Sequence, residues 1–322
     1  MRGAWLRPGA DLEVRDDLEE PIPGPGESLV EVGLAGVCAT DLALAAGYME
    51  FEGVPGHEFV GRALSGPLAG RRVVGEINAA CGACPVCAGA FGLDGRHCPH
   101  RTVLGILKRG GAFAERLVLP DANLLPVPDG VSDVAASFAE PLAAAFQVVE
   151  QVPLEPGGRA LVAGDGRLGL LIAKVLHAEG WDVTLAGHHA ERVPPGVTGA
   201  TGLLDADHAP PLAERFSLAV EATGAPAVLQ RLCAHVRPGG ALVLKTTTGR
   251  AVPLDLTPVV VDELRIVGSR CGRFEVALEA LAAGRIDVES LHQHTLPLGA
   301  AREALDLAGT RGVLKVLIDC HA

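Results

Sequence analysis

Four cysteines, Cys81, Cys84, Cys87 and Cys98, fall within one short, turn-rich window of the chain. The first three form C-x-x-C-x-x-C, and the fourth follows a loop containing Gly92, Asp94 and Gly95. Four thiolates so spaced can close a tetrahedral shell around zinc and leave no position for a substrate, so the ion they would hold is structural. A second set of possible ligands is dispersed. Cys38 lies in Gly36-Val37-Cys38-Ala39-Thr40-Asp41, His57 and Glu58 follow Gly56, and Glu140 stands in Ala139-Glu140-Pro141-Leu142. A thiolate, an imidazole and a carboxylate suit zinc and can leave room for water or a substrate oxygen. Taken singly, each has a strong plain alternative: Cys38 a core thiol, His57 a turn histidine and Glu140 a carboxylate at a helix start.

A third cluster points to a nucleotide. Gly164-Asp165-Gly166-Arg167-Leu168-Gly169 fits G-x-G-x-x-G directly after an apolar strand-like run and at the opening of a helix-like one. In that context the first glycine permits a tight turn, the second lets backbone amides approach a pyrophosphate, and the third lets helix pack close to strand. The helix N-terminus adds a favourable dipole. At the end of the next strand an Asp or Glu would grip the adenosine ribose hydroxyls of NAD(H). Here Gly187 stands instead, followed by His188, His189 and Arg192. The missing carboxylate and the nearby nitrogen donors favour the 2′-phosphate of NADP(H) over NAD(H); the alternative is that both histidines are exposed loop residues.

These groups need elements to hold them. The first third of the chain is rich in Gly and Pro with short β-like runs, such as Ser28–Val32 and Arg72–Gly75, and reads as an irregular, mainly β domain. From Ala139 the texture changes: Pro141–Val149 carries apolar residues at helical spacing, and strand and helix patterns then alternate. Strands are expected at Arg159–Ala163, Asp182–Ala186, Leu218–Glu221, Ala241–Leu244 and Leu264–Val267, with a helix from Leu168 to Glu179. That alternation predicts a doubly wound parallel sheet with helices on both faces. A helical pattern from Phe274 to Ala283 and a final apolar run, Val313 to Ile318, complete the chain.

Composition excludes several classes. The chain has 322 residues, 48% of them hydrophobic and 20% charged, enough for two domains with a sizeable core. A formal net charge of −12 at pH 7 repels phosphate backbones and anionic membranes, so nucleic acid is not an expected partner. Asp16-Asp17 and Glu19-Glu20 read as a solvated acidic face. No apolar run approaches the ~20 residues that span a bilayer, and the N-terminus does not read as a secretory signal. The eight cysteines therefore read as ligands or buried thiols in a reducing cytoplasm. Cys233, Cys271 and Cys320 are expected to be buried thiols, and His292 and His294 to have surface or core roles.

The Cys38, His57 and Glu140 segments, the cysteine lobe, the glycine turn and Glu221-Ala222-Thr223-Gly224 occur in the order found in the zinc-containing medium-chain alcohol dehydrogenases. The chain resembles that family nearly end to end, and more closely its polyol, threonine and glucose dehydrogenase branch, where Glu-Pro-Leu appears. The resemblance implies a Rossmann domain, residues 139–272, inserted into a GroES-like catalytic domain formed by residues 1–138 and 273–322, with a structural zinc lobe at about 78–101 and the active site in the cleft between the domains. It implies that Cys38 and His57 hold a catalytic zinc, that Glu58 and Glu140 bind it directly or through water, that Asp41 orients His57, and that Thr40 takes the substrate's proton. It further implies that Thr223 and Gly224 adjoin the cofactor, that two zinc ions are bound per chain, and that Leu264–Val267 lies near a contact in a homodimer or homotetramer. The expected function is hydride transfer between a nicotinamide cofactor and an alcohol, polyol or carbonyl, with zinc as Lewis acid, as it lowers the pKa of bound water to ~7.

Two departures stand out. Ala43 replaces a histidine that relays the proton in many relatives, and the loop from Cys87 to Cys98 is longer than in the family. The alternatives are a catalytically silent NAD(P)H-binding scaffold or a zinc-independent alkene or quinone reductase of the same fold. Metal content separates them: two ions, one, or none.

Overall fold

The strand Glu27–Gly36 has the period-two alternation of a half-buried strand, with Ser28, Val30 and Val32 facing inward and fully buried. It is the organising strand of the first unit in a computed structural model that describes all residues except 9–10, 204–209, 226 and 248–252. Its antiparallel partners are Glu58–Ala63, Arg116–Pro120 and the C-terminal strand Lys315–Asp319. The full sheet has seven strands, in the order Leu124–Pro126, Arg72–Gly75, Glu58–Ala63, Glu27–Gly36, Lys315–Asp319, His292–Pro297, with Arg116–Pro120 also on Glu27–Gly36. Leu317 thus lies opposite Gly36, and the end of the chain completes a sheet begun near its start.

This first unit comprises Met1–Glu140 and Phe274–Ala322, and the second comprises Pro141–Arg273. Against the boundaries expected from sequence, Ala139, Glu140 and Arg273 change sides. The acidic pairs Asp16-Asp17 and Glu19-Glu20 are exposed, and Cys233, Cys271 and Cys320 are buried.

The second unit is a six-stranded sheet in which every pair is parallel. Its order is Thr198–Thr201, Asp182–Gly187, Arg159–Ala163, Phe216–Glu221, Val236–Leu244, Arg265–Gly268, which is 3-2-1-4-5-6 counted from Arg159. Ala160, Leu161, Val162 and Ala163 are all fully buried, as a central strand covered on both faces must be. The strand order reverses beside this strand, which is where such sheets bind dinucleotides. Val236–Leu244 begins five residues before the expected Ala241. Pro238-Gly239-Gly240 reads as a turn in sequence, whereas in the fold a bulge takes it up between the pairs Phe216–Val236 and Leu218–Ala241. The helix Arg167–Ala178 buries Leu170, Leu171, Ile172, Val175 and Leu176 against the sheet.

Candidate active site, metal centres and nucleotide cradle

Cys38 caps the short helix Ala39–Ala45, and the carboxylate of Asp41 in its first turn does two things. Oδ2 accepts from the Cys38 amide at 2.8 Å. Oδ1 accepts from the Gly56 amide at 3.2 Å and lies 3.4 Å from His57 Nδ1, at ion-pair distance rather than in a well-formed hydrogen bond. Asp41, itself buried, therefore ties residue 38 to residue 57 across 19 positions of sequence. The ligand atoms of Cys38, His57 and Glu58 all fall within 4.8 Å of one another. Burial would raise the Cys38 thiol, yet His57 beside it outweighs that and brings it down to about 7. Burial would likewise lower His57, but the negative charges of Asp41 and Cys38 hold it well above its ordinary value. Each of the two groups thus favours the charged form of the other.

Thr40 is half-buried, with its hydroxyl oxygen 3.9 Å from the Cys38 sulfur. Glu140 stands half-buried in the first turn of the helix Ala139–Gln151, and its carboxylate is not among the ligand atoms gathered around Cys38.

One participant was hidden from sequence reasoning. Lys315, in the strand Lys315–Asp319, is 2% exposed, and its Nζ donates to Glu58 Oε2. The same Nζ sits 5.3 Å from the centre of the Phe138 ring. Burial pulls its ammonium down to about 8, against the charges of Cys38 and Asp41. A Cβ on Gly36 would come within 2.7 Å of Glu58 Oε2 and of Lys315 Cε, so glycine there makes room for the pair. The available signal was a lysine inside an otherwise apolar terminal run.

The cysteine lobe forms a second centre. Cys84 Sγ lies 3.5 Å from Cys87 and 3.7 Å from Cys98, and Cys81 lies 3.9 Å from Cys87. A tetrahedral site with metal–sulfur bonds of ~2.3 Å has sulfur–sulfur edges of about 3.8 Å. The four sulfurs thus stand close to the edges of such a shell, and the long Cys87–Cys98 loop closes it through the turns Ala90–Gly92 and Gly95–His97. The Cys81 amide donates to Cys98 Sγ at 3.5 Å and helps bring that thiol down to about 6.

In the second unit the glycine motif forms a cradle. Gly164 has φ +111, and a Cβ on Gly169 would collide with the carbonyl oxygen of Gly164, so strand and helix meet backbone to backbone. Gly166 caps the helix Arg167–Ala178 without a side-chain hydrogen bond, and nothing lies within 4 Å of where its Cβ would be. The first-turn amides are therefore open to an anionic group. Nη1 of Arg167, at the same end, is buried without an acceptor among the described residues. At the neighbouring strand end, Glu221 Oε1 accepts from the Thr223 amide and hydroxyl at 2.7 and 2.6 Å and from the Gly224 amide at 3.2 Å. Leu168 is half-buried on the helix. These features fit a dinucleotide pyrophosphate.

The strand end at Gly187 differs from the sequence expectation. A cavity of about 200 Å³ opens there, lined by residues that include Asp165, Leu185, Gly187, His189 and Val193. Asp165 Oδ2 accepts from the amides of His188 and His189, each at 2.7 Å, and faces His189 Nδ1 at 2.9 Å. His188 is exposed, Arg192 is half-buried in the turn Ala190–Arg192, and neither lines the cavity. Lys245 donates to the carbonyls of Ala144 and Arg270, each at 2.8 Å, and to Ser269 Oγ. It is part of the packing of the second unit.

Residues 24–129 match the alcohol dehydrogenase GroES-like domain. An L-threonine 3-dehydrogenase from Streptomyces avermitilis is 33% identical over 317 residues, covering 89% of this chain and 87% of its own. Among solved structures, an alcohol dehydrogenase from Escherichia coli CFT073 complexed with NADH superposes with a TM-score of 0.86 at 26% identity, over 99% of both chains. A protein from Sinorhizobium meliloti 1021 bound to NADP does so with a TM-score of 0.86 at 25% identity, over 99% of this chain and 98% of its own. With a relative this similar along most of its length, and with the thiol, imidazole and glycine-turn segments standing as described, the chain belongs to the zinc-containing medium-chain alcohol dehydrogenases.

Proposed function

We propose that this chain is a zinc-dependent oxidoreductase that moves hydride between a nicotinamide cofactor and an alcohol, a polyol or the corresponding carbonyl. The observation that carries the reading is the convergence of Cys38, His57 and Glu58, with Asp41 behind the imidazole. When bound, zinc supplies Lewis-acid polarisation of the substrate oxygen and the nicotinamide supplies the hydride acceptor. The protein does the rest. Cys38 and His57 present one sulfur and one nitrogen at a fixed separation. Asp41 orients the imidazole and raises its basicity. Lys315 engages Glu58, so Glu58 and Glu140 rank below the first pair as ligands. The Thr40 hydroxyl is the group beside Cys38 suited to take a proton from the substrate.

Two zinc ions per chain fit the two ligand sets, the four-cysteine one being structural. Gly164 to Gly169, Thr223 and Gly224 would hold the cofactor. Gly187, His188, His189 and Arg192 speak for NADP(H), whereas the Asp165 carboxylate packed on Gly187 speaks for NAD(H). A homodimer or homotetramer is supported by the edge strand Arg265–Gly268 and by Val260 and Val261, which are 74% and 73% exposed nearby in sequence. No helix among the described residues is long and apolar enough to cross a membrane, and free, clustered thiols favour a reducing cytoplasm.

The test is an absorbance screen of alcohols, polyols and aldehydes with NAD(H) and NADP(H), with and without a chelator. Turnover that chelation abolishes and zinc restores supports the reading. Chelator-insensitive reduction of an activated alkene would favour the reductase alternative, and cofactor binding without turnover the silent scaffold.

A further inference from the structure

Gly187 and Asp165 occupy one space. A Cβ added at position 187 would lie 2.5 Å from both the Cβ and Oδ2 of Asp165. The residue that a sequence comparison would search for an acidic side chain is thus a glycine beside an acidic side chain arriving from the opposite direction. Asp165 comes from the turn between the first strand and its helix, and it reaches the end of Asp182–Gly187. It is 9% exposed and lines the cavity there.

Its hydrogen bonds orient it. All three donors, two amides and one ring nitrogen, meet Oδ2. Among the described residues no donor meets Oδ1, which keeps its lone pairs for a further one. His189 does not turn the cavity cationic, because its Nδ1 is spent on the Asp165 carboxylate. His188 and Arg192 are not part of the lining. The cavity wall therefore carries a carboxylate, suited to accept hydrogen bonds from a ribose diol and to repel a dianionic 2′-phosphate.

We propose that Asp165 is the specificity-determining residue of the cofactor site, delivering from the glycine turn the carboxylate absent at position 187, so that the chain takes NAD(H) in preference to NADP(H). This rests on the reading that the second unit binds a nicotinamide dinucleotide, and it reverses the preference expected from Gly187. The physical reason is that a charge is defined by where its atoms sit, not by the sequence position that carries it.

Calorimetric titration of the purified chain with NADH and with NADPH tests it. The wild-type chain is expected to bind NADH at least ten-fold more tightly. Asp165→Asn, which keeps the shape and removes the charge, is expected to shrink that ratio about ten-fold, chiefly by improved NADPH binding. Gly187→Ala, which crowds the carboxylate out, should act in the same direction. The exchange D165G/G187D moves the carboxylate to the strand end and should restore the preference for NADH, which a merely structural role for Asp165 would not do. Melting curves establish that each variant is folded. A wild-type chain that binds NADPH as tightly as NADH overturns the proposal, as does a ratio that Asp165→Asn leaves in place. Binding of neither dinucleotide would instead remove the cofactor reading itself, and this inference with it.

Discussion

Lys315 and Glu58 form an ion pair in which each side chain is 3% exposed. They are 257 residues apart, and the pair exists because Lys315–Asp319 and Glu58–Ala63 flank the same strand, Glu27–Gly36. The proposed metal site thus borrows a cation from the last strand of the chain. That cation offsets the negative charge that Cys38, Asp41 and Glu58 bring into a buried space.

Breaking this pair from one side should cost more than removing both charges. Lys315→Met leaves a buried carboxylate unpaired and is expected to destabilise by ~3–5 kcal/mol. The double variant Lys315→Met/Glu58→Gln should recover a substantial part of that loss. Urea unfolding of the three proteins measures it, and equal losses in the single and double variants would contradict the pairing.

The two ligand sets predict separable metals. Wild-type protein should contain two zinc ions per chain, and Cys38→Ser and Cys98→Ser one each. Cys98→Ser should also lower stability by about 2 kcal/mol or more, roughly 4–8 °C in melting temperature. Cys38→Ser should change melting much less. Elemental analysis with thermal melts decides, and loss of both ions from either variant would show that the sites are not independent.

The glycine turn predicts a steric effect. Gly169→Ala puts a Cβ into the Gly164 carbonyl and is expected to cost ~1–3 kcal/mol while weakening dinucleotide binding by an order of magnitude or more. An unchanged melting point together with unchanged NADH affinity would mean that helix and strand are less closely packed than described.

Asp165 also predicts a pH dependence. Burial opposes its ionisation, but hydrogen bonds from the His189 ring and from the His189 and His188 amides outweigh this and hold its carboxyl below the usual range. A depressed folded-state pKa contributes stability that is complete above the unfolded value of ~3.9 and is lost as pH falls through the lower folded value. The melting-point gap between wild type and Asp165→Asn should therefore be level above about pH 5 and close progressively below about pH 4. A gap that stays constant in acid would show that the carboxylate gains nothing from these partners.

Much of this molecule was legible because its signals are local. Cys81, Cys84 and Cys87 are each separated by only two residues in a turn-rich segment, so the chain has little freedom to separate their sulfurs. Gly164 to Gly169 lies between an apolar strand and an amphipathic helix, and that order permits few other arrangements. The alternation of strands from Arg159 to Gly268 dictates a parallel sheet through its connection lengths. What tertiary structure decided are contacts between segments that spacing does not relate. Asp41 brings His57 to Cys38, the last strand carries Lys315 to Glu58, and Asp165 crosses from one turn to fill the space above Gly187. In each case the sequence determines that a charge exists, while the packing of strands from distant parts of the chain decides which partner it meets, and hence what it does.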